Sequence, residues 1–171
     1  MTPAISQAER ANINFKIHQY EHDPTVQHYG EEAAQAMGVE ASRVFKTLLF
    51  ALNGEPKQLA VAVVPVSGQL NLKAAASALG AKKAAMADAK IAQNTTGYIV
   101  GGISPLGQKR RLPTLIDTSA FTFDSVFVSA GRRGLEIELS AEDLMRLCDG
   151  KKVACTVRSC SSHTNAKLHA R

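Results

Sequence analysis

Two apolar runs, residues 45–52 (FKTLLFAL) and 58–66 (QLAVAVVPV), constrain the fold more than any other feature. Both are rich in β-branched and other apolar residues, and Asn53-Gly54 lies in the short loop between them. That pattern is a β-hairpin signal. Neither run alternates with polar residues, so both strands are expected to be buried rather than to lie across a surface. A chain of 171 residues, 45% of them hydrophobic, can supply such a core for one domain and is short for two.

The remaining elements are short. Thr2-Pro3 is a hydroxyl N-cap followed by proline at the first helical position, which opens a helix. Residues 15–20 alternate as a strand, and His22-Asp23-Pro24 turns the chain. A helix is expected over 31–37, closed by Gly38. Asn71 caps another through Leu79, ended by Gly80, and a third spans 88–94. Strands are expected at 98–100, 114–116, 125–128 and 135–139, the first running into the glycine-rich stretch 101–107. Ser140, with Asp143 three residues on, starts a last helix ending near Cys148. There is no internal repeat, and strands do not alternate regularly with long helices. The expectation is a single α+β domain with a central mixed, barrel-like sheet flanked by short helices.

The formal net charge of +5 is unevenly placed, because residues 149–171 carry +4 of it. The domain is therefore expected to span 1–148 and to be nearly neutral, with 149–171 a basic, Cys- and Ser-containing mobile tail. Local clusters (Lys82-Lys83, Lys109-Arg110-Arg111, Arg132-Arg133) are better candidates for phosphate contact than bulk charge, and each is equally readable as a solvated loop. All three cysteines (Cys148, Cys155, Cys160) fall at the C-terminal end, an odd count that argues against a disulfide framework. With His163 and His169 they match no compact zinc spacing, and His18, His22 and His28 are loosely spaced, so no metal site is expected. No apolar run approaches the roughly 20 residues of a membrane span, and the first ten residues lack the pattern of a secretion signal. A cytoplasmic location away from membranes is expected.

The string at 102–109 superficially matches a phosphate-binding loop but fails where the chemistry lies. Gln108 stands where lysine belongs, and Lys109-Arg110 replaces the Lys-Ser/Thr that would place a hydroxyl on magnesium. Glycines here could instead let backbone N–H groups approach an ester carbonyl, or simply form a tight turn. Ser129 follows a strand but sits in no nucleophile elbow, so a positioning hydroxyl or a turn residue is the better reading. Lys46, between Phe45 and Thr47 at the mouth of an apolar strand, is the most suggestive residue. It either snorkels to solvent or meets a phosphate or terminal ribose of bound RNA, with Tyr20 and Tyr98 available to stack a base.

Nine segments carry a family resemblance: MTPA at 1–4, YEHDP at 20–24, FKTL at 45–48, GQL at 68–70, MAD at 86–88, TGY at 96–98, VGGISPLGQK at 100–109, RGL at 133–135 and IEL at 137–139. In these the chain resembles the YbaK branch of the YbaK/prolyl-tRNA-synthetase-associated editing domain family, over roughly residues 1–148. The resemblance implies a pocket for the aminoacylated 3′ end of tRNA and removal of Cys from mischarged Cys-tRNA(Pro), with Cys-tRNA(Cys) as a further substrate. Transient pairing with prolyl-tRNA synthetase is a further implication. Carried over by motif, Lys46 would fix the terminal adenosine or its phosphate, and Gly101 would present its backbone near the scissile carbonyl. Tyr20, Phe45, Thr47 and Tyr98 would line the pocket, and Ser129 would orient the substrate. The family's proposed nucleophile is the substrate's own thiolate, which requires no metal, organic cofactor or catalytic cysteine. Glu136 would be a further substrate-binding residue, keeping the family's carboxylate but departing from its aspartate by one methylene. Two alternatives stand beside this reading: a sister hydrolase of Ala-tRNA(Pro) using external water, and a non-catalytic tRNA 3′-end binding module.

Overall fold

The computed structural model describes residues 1–158. Helix α1 (Pro3–Arg10) is capped by the Thr2 hydroxyl, which accepts from Ile5 N–H at 3.2 Å. Strand β1 (Lys16–Gln19) and helix α2 (Tyr29–Met37) follow, the latter ended by Gly38 in the left-handed region. The expected hairpin forms from β2 (Phe45–Leu52) and β3 (Leu59–Pro65), paired antiparallel from Phe45↔Pro65 to Ala51↔Leu59. Asn53 and Gly54 both take positive φ between them.

Every residue of β3 is buried, and its period of two explains why the run is wholly apolar. Leu59, Val61 and Val63 point into the larger core, with Phe45, Leu49, Ile116, Val128 and Ile137. Ala60, Ala62 and Val64 point the other way, into a second core with Phe50, Leu52 and Leu115. A polar residue on either face would lose its solvation with no partner to replace it.

Beyond the hairpin lie β4 (Gly68–Leu70), α3 (Leu72–Ala78), β5 (Ala84–Met86), α4 (Ala89–Thr96) and β6 (Thr114–Asp117). The chain then forms β7 (Val126–Arg132), β8 (Leu135–Leu139), α5 (Ala141–Leu147), β9 (Lys151–Val153) and β10 (Thr156–Arg158). Asn71, Asp88 and Ser140 cap α3, α4 and α5 through their side chains. One sheet has the order β5-β2-β3-β6-β9 and is mixed, with β3, β6 and β9 parallel. A second, antiparallel sheet has the order β1-β8-β7, and β4 pairs with β10. A parallel bridge between Val44 and Phe127 brings the start of β2 against β7. The α+β architecture with a central mixed sheet and short helices is as expected.

Two expectations are corrected. Residues 98–100 form no strand, because Tyr98 is drawn into the core, where its hydroxyl donates to Leu106 O at 2.7 Å. The 102–107 loop that follows is itself largely buried. At Gly107 (φ +66°) a methyl would come within 2.5 Å of the Pro3 carbonyl carbon, so α1 packs directly on its backbone. The ordered fold also continues past Cys148, the expected end of the domain. Strand β9 extends the large sheet and β10 joins β4. Cys155 between them is fully buried, its N–H donating to Asp117 Oδ1 at 2.9 Å and its carbonyl accepting from Asn71 N–H at 2.8 Å. Residues 149–158 are thus not a mobile tail. The rest of that expected tail, with Cys160, His163 and His169, lies outside the described residues.

Candidate active site

Strand β2 is covered on its outer side only at one end, since β5 pairs with residues 50–52 and Ala87 N–H reaches Leu49 O at 3.0 Å. Beyond that point its edge opens onto a cavity of about 410 Å³, walled by α2, the β7–β8 pair and the start of the glycine loop. An open edge resolves an apparent conflict in the sequence. Lys46 and Thr47 are successive residues on opposite faces of a strand, yet both line the cavity, because it wraps the edge rather than one face.

Seven of the eight singled-out residues meet there: Tyr20, Phe45, Lys46, Thr47, Gly101, Ser129 and Glu136. Tyr98 is the exception and the correction. It is a buried core residue behind the loop, not a wall of the cavity. Ser129 and Glu136 are direct cross-strand partners in β7 and β8, which places both side chains on the same face of that pair. Tyr20 follows β1, whose pairing with β8 sets His18 opposite Glu136.

The cavity's electrostatics are those of charges held away from water. Burial pulls the Lys46 ammonium below the usual lysine range, and the Glu31 carboxylate partly restores it. Lys46 makes no ion pair or hydrogen bond among the described residues. Burial alone pushes the Glu136 carboxyl up to about 8, so it is mostly protonated at neutral pH. Burial, followed by the field of Glu136, raises the Tyr20 phenol to about 12. The Thr47 hydroxyl is buried in the wall with no partner among the described residues, a polar group left for a ligand to satisfy.

At the loop, Val100 N–H is committed to Gln93 Oε1 (2.9 Å) and Gly102 N–H to Ile99 O (2.8 Å). Gly101 N–H has no such partner among the described residues, so an acceptor in the cavity can use it. Gly101 takes φ +96°, and a methyl there would approach Arg133 Nε to 2.5 Å and Tyr29 Cδ2 to 3.0 Å. Arg133 and Tyr29 are themselves stacked, with Arg133 Cζ 3.8 Å from the Tyr29 ring centroid. Sequence reasoning missed Tyr29, which stands just outside the expected helix start, and Glu31, which had no signal until the fold set it near Lys46.

Nucleophile chemistry by the protein finds little support in the cavity lining. Cys148 and Cys155 lie outside it, and burial raises their thiols to about 11 and about 12. The Ser129 hydroxyl accepts from Gly131 N–H at 3.1 Å, a local turn contact. Of the three candidate histidines, His18 pairs with Glu138 at 2.8 Å and His22 Nδ1 lies 3.5 Å from Glu32, whereas His28 lines the cavity. Among the described residues no three His, Cys, Asp or Glu side chains cluster as metal ligands, and no helix is long and apolar enough to cross a membrane.

The aminoacyl-tRNA editing domain model matches residues 23–147, which includes every residue that walls the cavity except Tyr20. The chain belongs to that family. It is 37% identical over 158 residues to the "Putative Cys-tRNA(Pro)/Cys-tRNA(Cys) deacylase EbsC" of Enterococcus faecalis (strain ATCC 700802 / V583), covering 92% of this chain and 94% of that protein. It is 30% identical over 92 residues to a "Proline--tRNA ligase" of Limosilactobacillus fermentum (strain NBRC 3956 / LMG 18251), over 53% of this chain but 16% of the ligase. A crystal structure described as "a putative trans-editing enzyme for prolyl tRNA synthetase" superposes with a TM-score of 0.77 at 21% identity, over 92% of this chain and 99% of that one. That likeness concerns the fold.

Proposed function

We propose that this editing domain is a free-standing deacylase that removes Cys from mischarged Cys-tRNA(Pro), and from Cys-tRNA(Cys), using the substrate's own thiol. The observation that carries the reading is the composition of the cavity. It offers a cation, a free backbone donor and an unsatisfied hydroxyl and, among the described residues, no cysteine. Such a site is built to hold and polarise an ester. In the proposed reaction the cysteinyl sulfur attacks its own carbonyl carbon, and the bond to the ribose oxygen breaks. The proton from the thiol ends on the ribose hydroxyl, leaving a cyclic thioester that water later opens. Lys46 holds the terminal adenosine or its phosphate, and Gly101 N–H faces the oxygen that gains charge. The enzyme contributes orientation and electrostatics, which suffice when nucleophile and electrophile share one molecule. The proposal includes cytoplasmic action and transient association with prolyl-tRNA synthetase.

A deacylation panel tests it. Cys-tRNA(Pro) is expected to be cleaved at least about 100-fold faster than Ala-, Ser- or Pro-tRNA(Pro), since only cysteine brings an internal nucleophile. Equal release of alanine would favour external water and sink the reading, and binding without cleavage of any ester would leave only an RNA-end binder. Gly101→Ala is expected to lower kcat/KM about tenfold by pushing Arg133 and Tyr29 into the cavity. Alanine at φ +96° also strains the loop however far Arg133 moves, so a thermal melt beside the assay separates a displaced loop from a blocked cavity. Undiminished turnover in that variant would remove Gly101 from the site.

A further inference from the structure

The glycine loop has two ends, and the proposed reaction uses only the first. Its far end, with Pro105, Gly107 and Gln108, walls a second cavity of about 500 Å³ between α1 and the end of α5. Two arginines from separate elements line this cavity: Arg10 from the last turn of α1 and Arg111 from the basic run after the loop. Among the described residues no aspartate or glutamate lines it, although Glu9 and Asp149 are neighbours in sequence. Neither arginine forms an ion pair among the described residues.

The walls are fixed before any ligand arrives. Gln7 clamps both sides, its Oε1 accepting from Gly107 N–H at 2.7 Å and its Nε2 donating to Leu147 O at 2.9 Å. Gln108 Nε2 is likewise committed to Ser104 O at 2.9 Å. The Ser6 hydroxyl lines the same space with no side-chain hydrogen bond among the described residues. Two unpaired arginines and a free hydroxyl on a rigid, carboxylate-free wall match a phosphate, whose oxygens accept paired N–H donors from guanidinium planes.

We propose that this second cavity holds a backbone phosphate of the tRNA whose aminoacylated end occupies the first. The assignment rests on the proposed function for the identity of the RNA. Gly101 and Gly107 are six residues apart, so the segment joining the cavities spans at most about 20 Å. At about 3.4 Å of helix axis per phosphate, a straight span of that length corresponds to on the order of six nucleotides, so one RNA is long enough to reach both cavities. The site gives the RNA a local grip, and it uses Arg111 from the Lys109-Arg110-Arg111 run that the first cavity leaves unused.

The test is binding of end-labelled, uncharged tRNA(Pro) by fluorescence anisotropy between 50 and 200 mM salt. Arg10→Ala with Arg111→Ala is expected to raise Kd about tenfold and to flatten the slope of log K against log salt by about 1. Each single variant should raise Kd about threefold, so the result does not depend on the double variant folding well. Lys57→Ala with Lys73→Ala removes the same charge outside both cavities and should change Kd less than about twofold. The proposal is overturned by an unchanged Kd and slope, by an equal loss in the Lys57/Lys73 control, or by AMP or inorganic phosphate binding at the cavity with tRNA affinity unmoved. Because the tRNA is uncharged, the readout is independent of cleavage. Binding lost in the arginine variants while no ester is cleaved by wild type would keep this site and refute the deacylase. Cleavage of Cys-tRNA(Pro) with binding unaffected would do the reverse.

Discussion

Lys46→Ala is expected to lower kcat/KM for Cys-tRNA(Pro) by roughly 10³-fold, the scale on which removing one preorganised charge-stabilising group acts, while the protein remains folded. Both halves follow from one position. The ammonium sits at the uncovered end of β2, half-buried and drawn below its usual range by that burial, with Glu31 as the opposing charge. Its attraction for a phosphate or ribose oxygen is therefore less screened than on an open surface. Stability is nearly indifferent, because truncation loses some packing of the stem and also removes the cost of desolvating a charge. Lys46→Met separates the two contributions: it keeps the apolar stem and should lose as much activity as alanine. Steady-state deacylation beside a thermal melt reads both quantities. Turnover near wild type in the methionine variant would leave Lys46 a snorkelling side chain and nothing more.

Lys46 also marks the boundary of what the sequence discloses. Strands at 45–52 and 58–66 are legible because two buried faces demand an unbroken apolar run, and no other element tolerates that pattern so near an Asn-Gly loop. A lysine inside such a run stands out for the same physical reason. The caps at Thr2, Asn71 and Ser140 are local chemistry and appear where expected, and Asp88 proves to cap the helix expected to begin with it. Tyr98 misleads because an aromatic beside a glycine loop looks the same whether its ring faces a ligand or the core, and only the Leu106 carbonyl decides. Strands β9 and β10 carry three residues each, with lysine and arginine among them, so they have no periodicity to detect. They are held by distant groups, Asp117 and Asn71, that local sequence cannot announce. The motif resemblance named seven residues that line the cavity and one that does not, but neither it nor the spacing of residues indicated the protonation of Glu136.

That carboxyl governs the second large effect, a fall in stability as pH rises from about 5 to about 9 that Glu136→Gln should abolish. Its folded value is about 8 against an ordinary 4.5, and the cause is burial without a compensating cation. Between those values the native state keeps a proton that the unfolded chain has released. The stabilisation is therefore complete below 4.5 and is lost as pH passes through 8. A displacement of this size corresponds to at most about 5 kcal/mol. In a chain of this length that is on the order of 10 °C in Tm. Glutamine keeps the shape and stays neutral, so the difference between the two Tm–pH curves isolates Glu136 from the paired histidines and from Tyr20, which both proteins share. Calorimetry of both across that range should give curves that converge near pH 5, separate progressively up to about pH 8 with wild type falling faster, and keep a constant gap above it. Parallel curves would mean that Glu136 is ionised in the fold, with a counter-charge or solvent reaching it. Its role in the cavity would then be that of a hydrogen-bond acceptor throughout, rather than that of a neutral carboxyl able to donate.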